Sequence, residues 1–230
     1  MKAYIEPKEV AQMENAAGNL RDRLLIHILF RLGCRIAELL SIAVEDIDFI
    51  AGTVTIRHLK SRIKLSCASC GVRLSMAHRF CPGCGGSINE AQAEELKQRR
   101  RRVLPIDRET LEMLKEYVQR GGPVVKEGKA LIFGINRHRA WQIIRDCADR
   151  AGLPKLINTE SGRQRNVSPH RLRDAFAVNA VKHNDSGDGL RLLQEHLGHQ
   201  SITTTMKYRK VAGEELKTWY SKLWEAENGR

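Results

Sequence analysis

Four cysteines fall in a pattern suited to a metal. Cys67 and Cys70 form one C-x2-C pair and Cys81 and Cys84 another, ten residues apart, each pair followed directly by a glycine, Gly71 or Gly85. Two thiolates at that spacing, with glycine relieving the turn behind them, let backbone N–H groups point at sulfur. Two such knuckles supply the four-sulfur shell that structural Zn2+ prefers, with Zn–S bonds of ~2.3 Å. A shell filled by protein leaves no open position for catalysis, so the expected ion is structural: it stabilises a module, residues 65–88, too short to fold on its own core. His58 and His78 lie nearby, but the spacing needs neither. A redox dithiol is the competing reading. Cys34 and Cys147 sit in apolar, helix-like stretches and read as core thiols.

Three further segments carry reactive side chains. In Leu32-Gly33-Cys34-Arg35-Ile36-Ala37-Glu38-Leu39, an arginine starts a helix and a glutamate follows one turn on. In Ser168-Pro169-His170-Arg171-Leu172-Arg173, His170 and Arg173 share a helix face. In the third, Leu197-Gly198-His199 precedes Tyr208 by nine residues, counted from the histidine. Each alone is commonplace: a helix-start arginine is usually solvated, an H-x-x-R pair usually lies on the surface, and a tyrosine at a helix end usually packs.

Together and in this order the segments resemble the catalytic domain of the tyrosine recombinase (phage integrase) family. Its pattern is an arginine in a T-G-x-R-x-x-E-L-like box, a lysine on a β-hairpin, H-x-L-R, then L-G-H and a tyrosine nucleophile. The resemblance runs over residues 7–211. It implies a mainly α fold with a small antiparallel sheet (α+β) across residues 1–230, the zinc module being inserted in the hairpin. It also implies DNA cleavage and rejoining through a 3′-phosphotyrosine. Arg35 and Arg173 would grip the non-bridging phosphate oxygens with permanently charged, bidentate forks. A phenol of pKa ~10 is scarcely ionised at neutral pH, so Tyr208 needs the cationic site or a base such as His170. The hairpin lysine would protonate the departing 5′-oxygen. Lys60 matches best, with Lys64 and Lys97 as alternatives. His199 would hydrogen-bond the phosphate, Glu38 would orient the cationic cluster, and no catalytic metal or other cofactor is required. Asp174 stands where the family commonly has histidine. Family members usually carry an N-terminal clamp domain, and the nearness of the Arg35 box to Met1 leads us to expect the catalytic domain without it. The zinc module, with Arg73, His78, Arg79, Lys97 and residues 99–102, is then expected to replace part of that clamp.

The elements that must position these residues can be read coarsely. Residues 7–32 have helical periodicity, Pro7 suiting its start and Gly33 its end. A short helix is expected over 35–42, a connection over 46–51, a strand over 53–59 and a returning strand within 98–106. Asp107 reads as the N-cap of a helix over 108–119. Helices follow at 139–151 and 170–182, separated by a loop over 155–167, and then at 190–197, 201–207 and 214–227. On the last of these, Leu216, Trp219, Tyr220, Leu223 and Trp224 share an apolar face. That face packs on its own core or, in residues 213–230, docks on a neighbouring protomer.

Composition narrows the partners. The 230 residues are 42% hydrophobic and 29% charged, unlike a disordered chain. A net charge of +12 favours a polyanion, nucleic acid first and an anionic membrane surface second. No apolar run approaches the ~20 residues that a bilayer demands, and no signal-peptide pattern opens the chain. The expected setting is therefore cytoplasmic, with double-stranded DNA and a homo-oligomer, dimer or tetramer, assembled on it. Two rivals remain: a type IB topoisomerase-like enzyme using the same residues, and a zinc-ribbon DNA-binding regulator on a recombinase-derived fold without catalysis.

Overall fold

The computed structural model describes residues 3–57, 65–75, 78–88, 101–157 and 162–209. Lys60, Lys64, Lys97, His58, Arg99, Arg100 and the 214–227 helix lie outside them. The chain divides into two units, residues 57–102 and the remainder.

In the larger unit the expected first helix is two: α1 (Pro7–Asn15) and α2 (Leu20–Leu32). Asn19 breaks the apolar periodicity because its side chain accepts the Asp22 N–H at 2.9 Å and so caps α2. Helix α2 is buried along most of its length and is the central strut, packed by α1, α4 (Arg108–Gln119), α5 (Arg137–Arg150) and α6 (Pro169–His183). A single turn, α3 (Ile36–Leu39), follows. Strands β1 (Ile47–Asp48), β2 (Thr53–Arg57) and β5 (Arg101–Pro105) form a sheet in the order β1-β2-β5, with Val54 and Ile56 turned into the core. Helix α4 has the expected bounds, its Asp107 side chain accepting Thr110 N–H at 3.1 Å.

Two hairpins depart from the expected layout. Strands β6 (Val124–Lys126) and β7 (Lys129–Leu131) pair across Glu127-Gly128, both at positive φ, which is the backbone that two-residue hairpin turns need. The expected loop before α6 contains β8 (Leu156–Ile157) and β9 (Gln164–Arg165). After α6 come α7 (Gly187–Leu197) and α8 (Ile202–Arg209), whose inner faces form an apolar cluster of Ala177, Val178, Val181, Leu190, Leu193, Leu197 and Tyr208.

The smaller unit holds a hairpin of β3 (Leu65–Ser66) and β4 (Arg73–Leu74) and the two cysteine knuckles. Its buried centre is Leu74 and Cys81, with Cys67 and Ile88 against them.

Candidate active site and metal centre

The chain is brought back on itself at the end of α2. Gly33 caps the helix at φ 55°, and a Cβ there would collide with the ring of Phe176 on α6. Only glycine allows this close approach. It presents the Gly33 carbonyl to Arg173, whose Nη1 donates to it at 2.6 Å. Arg173 Nη2 donates to the carbonyl of Leu197 at 2.8 Å, at the end of α7. The guanidinium, 2% exposed, thus joins the carbonyl-rich, partially negative ends of two helices.

His199 lies beside it, Nε2 3.1 Å from Arg173 Nη2, with Nδ1 2.9 Å from Thr205 Oγ1. Arginine has no lone pair to offer, so Nε2 must be the acceptor and the proton sits on Nδ1. Arg35 is held by Glu38, a buried carboxylate that accepts both the Arg35 backbone N–H and Nη1 at 3.0 Å. The Arg35 side chain keeps 38% of its surface exposed, unlike Arg173. Glu38 thus ties down both the backbone and the guanidinium of Arg35.

Tyr208, near the end of α8, is 9% exposed and lies alongside His199, ring centroids 6.2 Å apart. Its hydroxyl donates to Asp174 Oδ1 at 3.0 Å, while Arg171 Nη1 donates to Oδ2 at 2.8 Å. Burial, the Asp174 charge and that hydrogen bond all push the phenol well above its ordinary value, against a smaller opposing pull from Arg173. His170 is exposed at the first turn of α6, Nε2 3.8 Å from Asp174 Oδ1. The hydroxyl thus bonds Asp174, a residue that sequence reasoning noted only as a departure. Its signal was present, since a carboxylate adjoining Arg173 has to find a proton donor or a cation.

The knuckles are near-equivalent. Gly71 N–H donates to Cys67 O at 2.8 Å and Gly85 N–H to Cys81 O at 2.9 Å; both glycines lie near φ 71–72°. The Sγ atoms of Cys67 and Cys84 are 3.6 Å apart, those of Cys70 and Cys81 3.4 Å, and all four lie within 4.8 Å of one another. A tetrahedron with ~2.3 Å metal–sulfur bonds has edges of about 3.8 Å, so the group could hold zinc. Backbone N–H groups of Cys70 and Ser69 pull the Cys67 thiol down to about 6, and that of Cys84 lowers Cys81. His78 is not part of the group, and its Nδ1 accepts Ser75 N–H at 3.2 Å. A second cluster, His27 with Asp107 and Glu109, is a weaker candidate. Both His27 nitrogens are already engaged, by Glu14 at 3.1 Å and Thr110 at 2.9 Å.

A mainly helical α+β domain in which Arg173 bonds the Gly33 and Leu197 carbonyls and contacts His199, so joining three distant segments, falls in a recognisable class. Residues 3–215 match the phage integrase family, and the chain belongs to it. It is 29% identical over 207 residues to tyrosine recombinase XerD of Mycobacterium tuberculosis (strain H37Rv), covering 86% of this chain and 50% of that protein. It is 26% identical over 207 residues to tyrosine recombinase XerA of Pyrococcus furiosus, covering 86% and 53%. The chain thus spans about half the length of the curated relatives it matches. Among solved structures, that of XerA recombinase has a TM-score of 0.64 at 20% identity, covering 96% of this chain and 64% of that one. The catalytic domain of bacteriophage HP1 integrase has a TM-score of 0.54 at 16% identity, covering 96% and 95%. The shared fold confirms the mainly helical expectation.

Proposed function

We propose that the chain is the catalytic part of a site-specific DNA recombinase or integrase, cutting and rejoining strands through a 3′-phosphotyrosine. The observation that carries this reading is the meeting of three sequence segments at Arg173. Its guanidinium bonds the carbonyl two residues before Arg35, and it contacts Leu197 and His199. Its neighbour Asp174 holds Tyr208.

In the proposed step Tyr208 Oη attacks the scissile phosphorus, forming a P–O bond to tyrosine and breaking the bond to the 5′-oxygen. His170, exposed at the start of α6, takes the phenolic proton. Lys60 gives one to the leaving oxygen, which is released as a hydroxyl able to reverse the step. Arg35 and Arg173 offset the charge that builds on the non-bridging oxygens; removing one such preorganised donor typically costs ~10²–10³ in rate. His199 joins them by donating to the phosphate once its proton is on Nε2. The ester keeps the bond energy, so rejoining needs no external source.

The relatives include a lambda integrase dimer bound to a core site and XerH on palindromic difH DNA. By that analogy the ligand is duplex DNA and the working form a dimer or tetramer, with the 213–230 segment docking between protomers. Zn2+ bound by Cys67, Cys70, Cys81 and Cys84 would hold the inserted module together and take no part in the chemistry. The reaction belongs in the cytoplasm, where such DNA is found. The test is incubation with a nicked suicide duplex: an SDS-resistant adduct is expected, absent in Tyr208→Phe. Two marked duplexes separate strand exchange from simple relaxation.

A further inference from the structure

The cysteine module bears groups that cleavage chemistry does not use. From residue 49 to 89 there is no aspartate or glutamate, while Arg57, Lys60, Arg62, Lys64, Arg73 and Arg79 contribute six cations, against a chain-wide ratio of 39 basic to 27 acidic residues. Four thiolates around a divalent ion would leave two negative charges, which six cations exceed. The segment therefore stays positive with its metal bound.

The structure supplies the geometry of this surface. In β4 the two residues face opposite ways, Arg73 exposed and Leu74 buried. Arg79 is also exposed, and its backbone carbonyl accepts Ile88 N–H at 3.0 Å, which ties its backbone to the second knuckle. Phe80, bridged to Ser87 and directly before buried Cys81, has 64% of its surface in solvent. Val72, beside Arg73, is exposed as well. An exposed aromatic ring and an exposed branched apolar side chain, each next in sequence to an exposed arginine and with no carboxylate in the segment, suit the backbone and groove of a nucleic acid. Arginine pairs with phosphate, and an apolar ring lies against sugars or wedges at a base step. An acidic protein surface would match the charge but gives no use for a ring in so basic a patch.

We infer that the cysteine module is a second DNA-binding element, gripping duplex phosphates through Arg73 and Arg79 and laying Phe80 in a groove. This rests on the recombinase reading for its choice of ligand, but it concerns residues other than those assigned to cleavage. Binding would be insensitive to sequence.

The test uses the zinc-loaded full chain and a short duplex of arbitrary sequence, with affinity measured across a salt series. Arg73→Ala/Arg79→Ala should weaken binding at least tenfold at low salt and reduce the salt slope by about 2. Arg73→Lys/Arg79→Lys, which keeps both charges, should retain the slope. Phe80→Ala should weaken binding several-fold with the slope unchanged. Zinc content and melting temperature report whether each variant is folded. An alanine pair that keeps its zinc and binds DNA with wild-type affinity and slope overturns the inference. So does one whose only defect is in self-association, which would make the surface a protein contact. The recombinase reading fails separately, if the wild-type chain forms no adduct on a nicked suicide duplex.

Discussion

The hydroxyl of Tyr208 donates to Asp174 Oδ1 at 3.0 Å, one residue along α6 from the buried guanidinium of Arg173. Tyr208, the proposed nucleophile, is thus held by the residue next to Arg173, the proposed phosphate ligand. In that role Tyr208 is at rest: its ring is buried and its oxygen engaged by a charged acceptor. A hydrogen bond to a charged group contributes ~1.5–3 kcal/mol, and that bond must break before the oxygen can meet a phosphate.

Removing the charge should therefore free the phenol. Asp174→Asn is expected to form the covalent adduct about tenfold or more faster at neutral pH, because a neutral acceptor holds the hydroxyl less strongly. Loss of the Arg171 ion pair should lower its melting temperature modestly. Single-turnover cleavage of a nicked duplex measures the rate. A slower Asp174→Asn with an intact fold would make the carboxylate the proton acceptor instead.

The same contact sets a pH dependence. The folded pKa of Tyr208 is raised, chiefly by burial and then by Asp174. Its contribution to stability is therefore complete below the unfolded value of ~10 and is lost as pH climbs through the folded one. A difference ultraviolet titration of wild type against Tyr208→Phe should show this phenol ionising well above pH ~10, together with unfolding of the native state. A Tyr208 that ionises reversibly near its ordinary value in the folded protein would contradict the placement.

Arg173 and Arg35 should differ sharply when replaced. Arg173→Ala strands the Gly33 and Leu197 carbonyls at buried helix ends, costing roughly 2–4 kcal/mol of stability as well as activity. Arg35 is partly exposed but paired with the buried Glu38, so Arg35→Ala should severely reduce adduct formation at a smaller cost in stability than Arg173→Ala, which leaves two carbonyls unpaired. Urea titrations of both variants check this. Equal losses would mean that Arg35 is as deeply built into the fold as Arg173.

Metal removal should act locally. Among the smaller unit's described residues the buried centre is Leu74 and Cys81, too little to persist alone. Purified protein is expected to carry one zinc per chain. Chelation, or Cys67→Ser with Cys81→Ser, should open protease sites between residues 57 and 102 while the larger unit stays resistant. Resistance throughout the metal-free chain would argue against a structural ion.

How much of this was legible beforehand follows from the range of each cause. Helix α4 was readable to its bounds because Asp107 and Gly121-Gly122-Pro123 are local signals. The Asn19 break was hidden inside an apolar stripe that continues across it. The β6–β7 turn carried a usable cue in Glu127-Gly128 that the short strands around it obscured. The cysteine knuckles were plain, since four ligands at fixed spacing need no tertiary information. The motifs single out Arg35, His170, Arg173, His199 and Tyr208 as candidates, and the structure pairs Glu38 with Arg35. What was not legible is where their hydrogen bonds go. Arg173 finds its carbonyls 140 and 24 residues away, and Tyr208 finds Asp174 at a separation of 34. Such pairings exist only once the helices have packed.

The most direct measurement is mass spectrometry of the covalent species formed on a nicked suicide duplex. The account predicts a DNA 3′-phosphate esterified to Tyr208, missing in Tyr208→Phe and severely reduced in Arg35→Ala. An adduct on another side chain, or none from a folded, DNA-bound wild-type chain, would contradict it.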